Sequence, residues 1–273
     1  MPRGYRTDTM VVAAGTAATY VFNPNLLPQG GLKDLYVVAT GANNSLDNAI
    51  TQVVVKLEGV EVINMTGTQL RVLLEALRIS ETIPGAGQLF FTIPMGAPQA
   101  MVGAWPFAGC VSGIPFGLNV SVEISVSAGS SAGTLQIGWT MLDTPPAYML
   151  KCVKQATGVS LNTTSPVAVN YQGNDCLGVI LNNAATKIVK LRLVSRLADG
   201  REYQISDMSA AMMTALMQDS NPLTVSDPLV YLHEKAYRFG PSSYYEFTTG
   251  AAGLPADLFA TIQVVDVRPA TAA

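Results

Sequence analysis

The chain has 273 residues, with 16 Lys and Arg against 19 Asp and Glu and a net charge of −3. Charged residues make up only 13% of it, against roughly 25% in ordinary soluble proteins, and its mean hydropathy is +0.30. Before Pro146 there are 6 basic and 9 acidic residues, and after it 10 of each, so neither half carries the basic footprint of a nucleic-acid binder. A free monomer with so little charge would attract its neighbours. Other subunits are therefore expected to cover much of its surface. The 24 Gly and 16 Pro among many Val, Ile and Thr indicate an all-β protein rich in turns.

The opening Pro2-Arg3-Gly4-Tyr5-Arg6 places Arg3 and Arg6 in a small basic arm, either a solvated terminus or an interior-facing contact. No apolar run with a cleavage site follows, so no signal peptide is expected. Residues 16–23 and 32–39 read as strands, and residues 41–44 turn the chain into a third strand at 50–57. After the turn at 84–87 come a strand around 89–93, a strictly alternating strand at 118–126 and another at 134–142. The Gly129–Gly133 turn between the last two reads as a hairpin connection.

Asp143-Thr144-Pro145-Pro146 interrupts regular structure and divides the chain into domains 1–146 and 147–273. The second half then repeats the plan of the first. Strands are expected at 167–171, 177–181, 188–196, 229–233, 244–248 and 259–267.

Two stretches carry the repeat. Val53–Leu57, Gly59, Glu61 and Leu70–Leu77 give a strand, a Gly turn, a second strand and a helix over 66–78. Val189–Arg196, Gly200, Glu202 and the Met/Leu run to Met217 give the same order, with a helix over 207–218. Met65-Thr66 aligns with Met208-Ser209. Thr66-Gly67-Thr68-Gln69 fits a capping box, in which Thr and Gln reciprocally satisfy two backbone N–H groups. Leu70, Leu73, Leu74 and Leu77 then form one apolar stripe, as do Met212, Met213, Leu216 and Met217. Asp207 or Ser209 can cap the second helix. Helices of this kind among strands pack on a sheet and need no further role. Duplicated sets of short strands with one helix each predict two tandem jelly-roll sandwiches.

One segment stands apart. No charged residue lies between Glu81 and Glu123, while Met101, Trp105, Phe107 and Phe116 do. Prolines at 84, 94, 98, 106 and 115 exclude a membrane helix. The stretch is a cover over its own sandwich, a subunit contact or a contact with lipid, and the second is the expectation for these four residues.

The residues of catalysis are missing. His233 is the single histidine and stands in a strand beside Glu234 and Lys235, the setting of a structural residue. No serine has a Gly-x-Ser-x-Gly elbow, and one histidine excludes His-based metal centres. Cys110, Cys152 and Cys176 are odd in number and lack Cys-x-x-Cys spacing, so free thiols made in a reducing cytoplasm are expected. No catalytic, cofactor or metal site is expected, and the chain is expected not to be an enzyme.

The strand–Gly turn–strand–helix order in each half, with Gly59 and Leu70–Leu77 answered by Gly200 and Met208–Met217, resembles a known family. So do Pro98-Gln99-Ala100-Met101 before an apolar segment and the Pro145-Pro146 linker into Lys151–Gln155. The family is that of the small double-jelly-roll major capsid proteins of icosahedral, tailless, membrane-containing phages, of the corticovirus type. The resemblance implies a homotrimer of pseudo-hexameric outline, tiling a virion shell over an internal membrane and assembled in the host cytoplasm. It also implies other capsid proteins, such as a vertex protein, as partners, contact with the internal membrane, and no specific nucleic acid. The rival reading is a two-domain β-sandwich binding module, carbohydrate-binding or adhesin-like, which would be secreted and carry aromatic clusters on an exposed face.

Overall fold

The computed structural model describes residues 5–22, 31–41, 45–77, 79, 85, 87–96, 113–115, 117–129, 133–155, 164–168, 175–181, 188–196, 199–209, 211, 212, 215, 229–238, 244–249 and 259–267. Two compact units divide the chain, Met1–Val153 with Val265–Ala273, and Lys154–Val264. The first holds β1 (Tyr5–Val12), β2 (Ala17–Val21), β3 (Leu32–Thr40), α1 (Leu46–Ala49), β4 (Ile50–Leu57), β5 (Val60–Met65), α2 (Gly67–Ala76), β6 (Gln88–Pro94), β7 (Val120–Val126) and β8 (Gly133–Met141). Strand β9 (Tyr148–Gln155) carries the chain into the second unit. There follow β10 (Thr164–Ala168), β11 (Asp175–Leu181), β12 (Ile188–Arg196), β13 (Glu202–Ser209), β14 (Leu229–Arg238) and β15 (Tyr244–Thr249). In β16 (Phe259–Asp266) the chain returns to the first unit, where Val267 N–H donates to Ala147 O at 2.9 Å.

In the first unit one sheet has the order β1-β8-β3-β6, and another contains β2-β7-β4-β5. The two pack face to face. Trp139 of β8 meets Phe22 at a ring-centroid distance of 4.9 Å and Tyr20 at 5.9 Å. Alternation explains the layers: Val120, Val122, Ile124 and Val126 of β7 are buried, and the residues between them are half-buried.

The hairpin expected between 118–126 and 134–142 does not form. Strand β7 pairs with β4 and β2, and β8 pairs with β1 and β3 in the opposite sheet. Alternation fixes which face of a strand is buried but says nothing about its neighbour, and jelly-roll connections cross between sheets. The basic-arm reading also changes. Tyr5–Val12 is strand β1, with Arg6 opposite Trp139 and Val12 opposite Gly133, so Arg6 stands in a sheet. Arg3 lies outside the described residues.

The β4–β5 turn shows why a glycine was needed. Glu58 and Gly59 have φ of 48° and 79°, the two left-handed positions of a tight hairpin. The strained Glu58 is clamped from β7's side. Its carboxylate accepts from Asn119 N at 2.7 Å and from Asn119 Nδ2 at 3.0 Å, and its own N–H donates to Asn119 O at 2.9 Å. Those bonds hold the Glu58 carboxyl below its ordinary range.

Helix α2 carries the expected capping box: Thr66 Oγ1 accepts from Gln69 N at 3.2 Å, and Gln69 Oε1 accepts from Thr66 N at 3.0 Å. Leu70, Leu73, Leu74 and Leu77 are all buried. Arg71 joins α2 to the short, unforeseen α1 through Asp47 at 2.9 Å, and is held within α2 by Glu75 at 2.6 Å.

The second unit repeats the first. Its order β10-β15-β12-β13 corresponds to β2-β7-β4-β5, and β16-β11-β14 to β8-β3-β6, which makes β9 the counterpart of β1. The irregularities repeat too. Ile50 pairs with Val126 and Gln52 with Ser125, leaving Thr51 as an extra residue; Ile188 pairs with Thr249 and Lys190 with Thr248, leaving Val189. Val62 is extra opposite Val55 and Lys56, as Ile205 is opposite Leu193 and Val194. Lys33 is extra in β3, as Leu177 is in β11. Three β-bulges at matching places are specific marks of duplication. Val53 pairs with Met65 and Leu191 with Met208, which agrees with the sequence alignment of Met65 and Met208.

The second helix begins later than the expected 207–218. Asp207 and Met208 complete β13 opposite Arg192 and Leu191. Ser209 Oγ then accepts from Met212 N at 3.2 Å, as Thr66 does from Gln69, and residues 211, 212 and 215 are helical. Met213, Leu216 and Met217 lie outside the described residues. Met212 itself is 53% exposed.

Candidate assembly surface

The four residues expected at a subunit contact, Met101, Trp105, Phe107 and Phe116, lie outside the described residues. What is described is how their segment leaves and rejoins the sandwich. It departs after β6 at Met95, which is buried and whose carbonyl accepts from Leu150 N at 2.9 Å. It returns at Ile114, which exchanges backbone bonds with Leu32 at 2.9 and 2.7 Å. Gly31 and Gly113 flank that bridge because a Cβ on either would sit 2.3 Å from a carbonyl oxygen, Ile114 O or Leu32 O. The uncharged stretch thus leaves the sandwich held to β9 and rejoins it held to the first residue of β3.

Strands β3, β6 and β8 contain two charged residues, Lys33 and Asp34. The half-buried Tyr36 and Phe90 stack on this sheet with centroids 5.9 Å apart and planes 12° apart. Asp34 stands in register with Pro94 and Thr140, whose Oγ1 is buried without a hydrogen-bond partner among the described residues. Burial pushes the Asp34 carboxyl up to about 6, partly opposed by Lys33 at 3.8 Å.

That shift has a definite sign. A carboxyl that ionises less readily when folded makes its full contribution to stability below about pH 4 and loses it as pH rises towards 6. With the side chain 15% exposed, the loss is at most about 3 kcal/mol. Asp34→Asn is therefore expected to raise the denaturant midpoint at pH 7.5, with the advantage over wild type vanishing near pH 4. Equal midpoints at pH 7.5 would show that the carboxyl is adequately solvated.

Strands β12, β13 and β15 carry two exposed or half-buried ion pairs. Lys190 Nζ lies 2.8 Å from Asp207 Oδ1, and Arg192 Nη1 lies 3.2 Å from Glu246 Oε1. The corresponding pair in the first unit is made of two amides: Gln52 Nε2 donates to Asn64 Oδ1 at 2.8 Å, and Asn64 Nδ2 in turn donates to the Glu61 carboxylate at 2.6 Å.

Among the described residues no group of three or more His, Cys, Asp and Glu could hold a metal ion. No described helix is long and apolar enough to cross a membrane. His233 stands in β14 and Cys176 in β11, Cys110 lies outside the described residues, and Cys152 is a buried free thiol whose ionisation is pushed up by burial. A thiol so placed is inert.

No family model and no curated protein sequence matches the chain. Solved structures do. The major capsid protein P2 from bacteriophage PM2 is 12% identical, with 97% of this chain and 99% of that one covered at a TM-score of 0.65. The STIV MCP, from Sulfolobus Turreted Icosahedral Virus, is 12% identical, with 96% of each chain covered at 0.64. PBCV-1 VP54, fitted into a reconstruction of the virophage Sputnik, is 12% identical, with 96% and 93% covered at 0.54. Over nearly its whole length, then, this chain has the double-jelly-roll fold of viral major capsid proteins.

Proposed function

We propose that the chain is a major capsid protein, a homotrimer of pseudo-hexameric outline that tiles an icosahedral phage shell over an internal membrane. The observation that carries this reading is the duplication, which reaches down to the three paired bulges, on a fold shared along the whole chain with capsid proteins. Two similar sandwiches per chain give a trimer six nearly equivalent blocks, which suit a hexagonal lattice. Low charge has the same cause, since assembly covers surface that a monomer would leave wet. On this reading the jelly rolls divide at 146/147, Arg3 and Arg6 lie towards the shell interior, and a vertex protein and the membrane are partners. The protein is made in the host cytoplasm, works in the virion, and has no enzymatic role.

The test is mass in solution followed by negative-stain microscopy. Trimers and shells are expected, while monomers at all concentrations would return the chain to the binding-module reading. Within this proposal Met101, Trp105, Phe107 and Phe116 form the subunit contact. Trp105→Asp or Phe107→Asp should yield monomers or aggregates that fail to trimerise but keep their β circular dichroism. Normal trimers from both variants would make the stretch a cover over its own domain.

A further inference from the structure

Among the described residues the duplication leaves one pairing without its counterpart. Beside β5, β9 runs parallel, with Ile63 opposite Cys152 and Asn64 opposite Val153. The residues matching Ile63 and Asn64 are Ser206 and Asp207 of β13, since Val55 and Val54 pair with the first two as Leu193 and Arg192 do with the second. Yet among the described residues β13 ends its sheet, in the order β10-β15-β12-β13. The strand matching β9 is β1, which likewise ends the order β1-β8-β3-β6. The chain thus carries two complementary sheet edges and uses their equivalents on each other once, internally.

We propose that the β13 edge at Ser206 and Asp207 receives β1 of a second copy in parallel, as β5 receives β9. The occupant is fixed by the repeat, because β1 alone is the counterpart of β9. Such a contact is heterologous, joining different surfaces head to tail, so it closes into a ring when the rotation allows. It rests on the reading of the chain as a self-assembling shell protein, and specifies which strands meet.

The side chains fit an edge that must stay open until a copy arrives. At the covered edge the cross-strand pair is Gln52 and Asn64, with Asn64 8% exposed. At the open edge the same two positions hold Lys190 and Asp207, with side chains 46% and 29% exposed. Charge on a sheet edge prevents indiscriminate pairing, and here it makes the contact between copies weaker and more reversible than the internal one.

Two measurements test this. Hydrogen exchange is compared between assembled and dissociated wild-type protein. Amides of β13 around Ser206 and Asp207, and of β1, are expected to slow by about tenfold or more on assembly, while those of β5 and β9 are protected in both states. The double variant Lys190→Gln with Asp207→Asn imports the chain's own covered-edge pair without changing net charge, and should assemble at a concentration lower by about tenfold. If wild type assembles but exchange at β13 is unchanged, or the double variant's concentration dependence is unchanged, the copies meet elsewhere and the proposal fails while the capsid reading stands. If wild type never assembles, both fail.

Discussion

Gly67→Ala is expected to destabilise the first unit by roughly 2–4 kcal/mol, although helix propensity alone forecasts the opposite. Gly67 is the first residue of α2, where Ala would gain about 1 kcal/mol over Gly. A Cβ there would lie 2.2 Å from Ile50 O and 2.4 Å from Leu46 O, both backbone atoms that cannot swing aside. The helix would have to lift off α1 and the start of β4, disturbing buried Leu46, Ile50, Leu70 and Leu73. Overpacking of that kind costs about 1–3 kcal/mol before the neighbouring contacts are counted, so packing wins. Gly59→Ala is the control. Nothing lies within 4 Å of its Cβ, but φ is +79°, so only about 1 kcal/mol of backbone strain is expected. Urea melts of the three proteins decide the matter, and a Gly67→Ala midpoint at or above wild type would refute the steric account.

Trp139→Ala should cost about 3–5 kcal/mol. Its ring is 2% exposed and joins the two sheets through Phe22 and Tyr20, with Phe22 edge-on at 75°. Loss of the indole leaves a cavity between strands that cannot close without moving both sheets. Its Nε1–H is buried with no partner among the described residues, so the polar atom contributes nothing to offset the loss. Trp139→Phe keeps much of the ring and removes that unpaired donor. It is expected to cost under about half as much. If the two variants were equally destabilised, the indole N–H would have a partner worth more than the ring's packing.

The duplication was legible because turns and caps have strict local chemistry. Gly59 and Gly200 occupy left-handed φ of 79° and 83°, and Thr66 and Ser209 each take a backbone N–H three residues on. The stripe of Leu70, Leu73, Leu74 and Leu77 was readable from spacing for the same reason. Pairing partners were not readable. Strand β7 alternates cleanly, but its partners β2 and β4 are chosen by tertiary packing, and the following β8 goes elsewhere. Strand β1 was hidden because Arg6 and Asp8 dilute its apolar pattern and its partner lies far along the chain. The edge that β13 leaves open among the described residues has no signature in composition at all. It emerges only when registers in the two halves are compared residue by residue.

The pairing of Tyr5 with Thr140 and of Val12 with Gly133 also sets an order of events during synthesis. Strand β1 is made early yet is among the last to find its place in its own sheet, because more than a hundred residues must follow before β8 exists. At roughly 5–20 residues per second that is a wait on the order of ten seconds. Through this interval β3 and β6 can pair and the β4–β5 hairpin can close, but the sheet they build still lacks its central strand. Long-range closure of this kind makes folding slow, and the nascent chain spends that time with β1 still waiting for its partner.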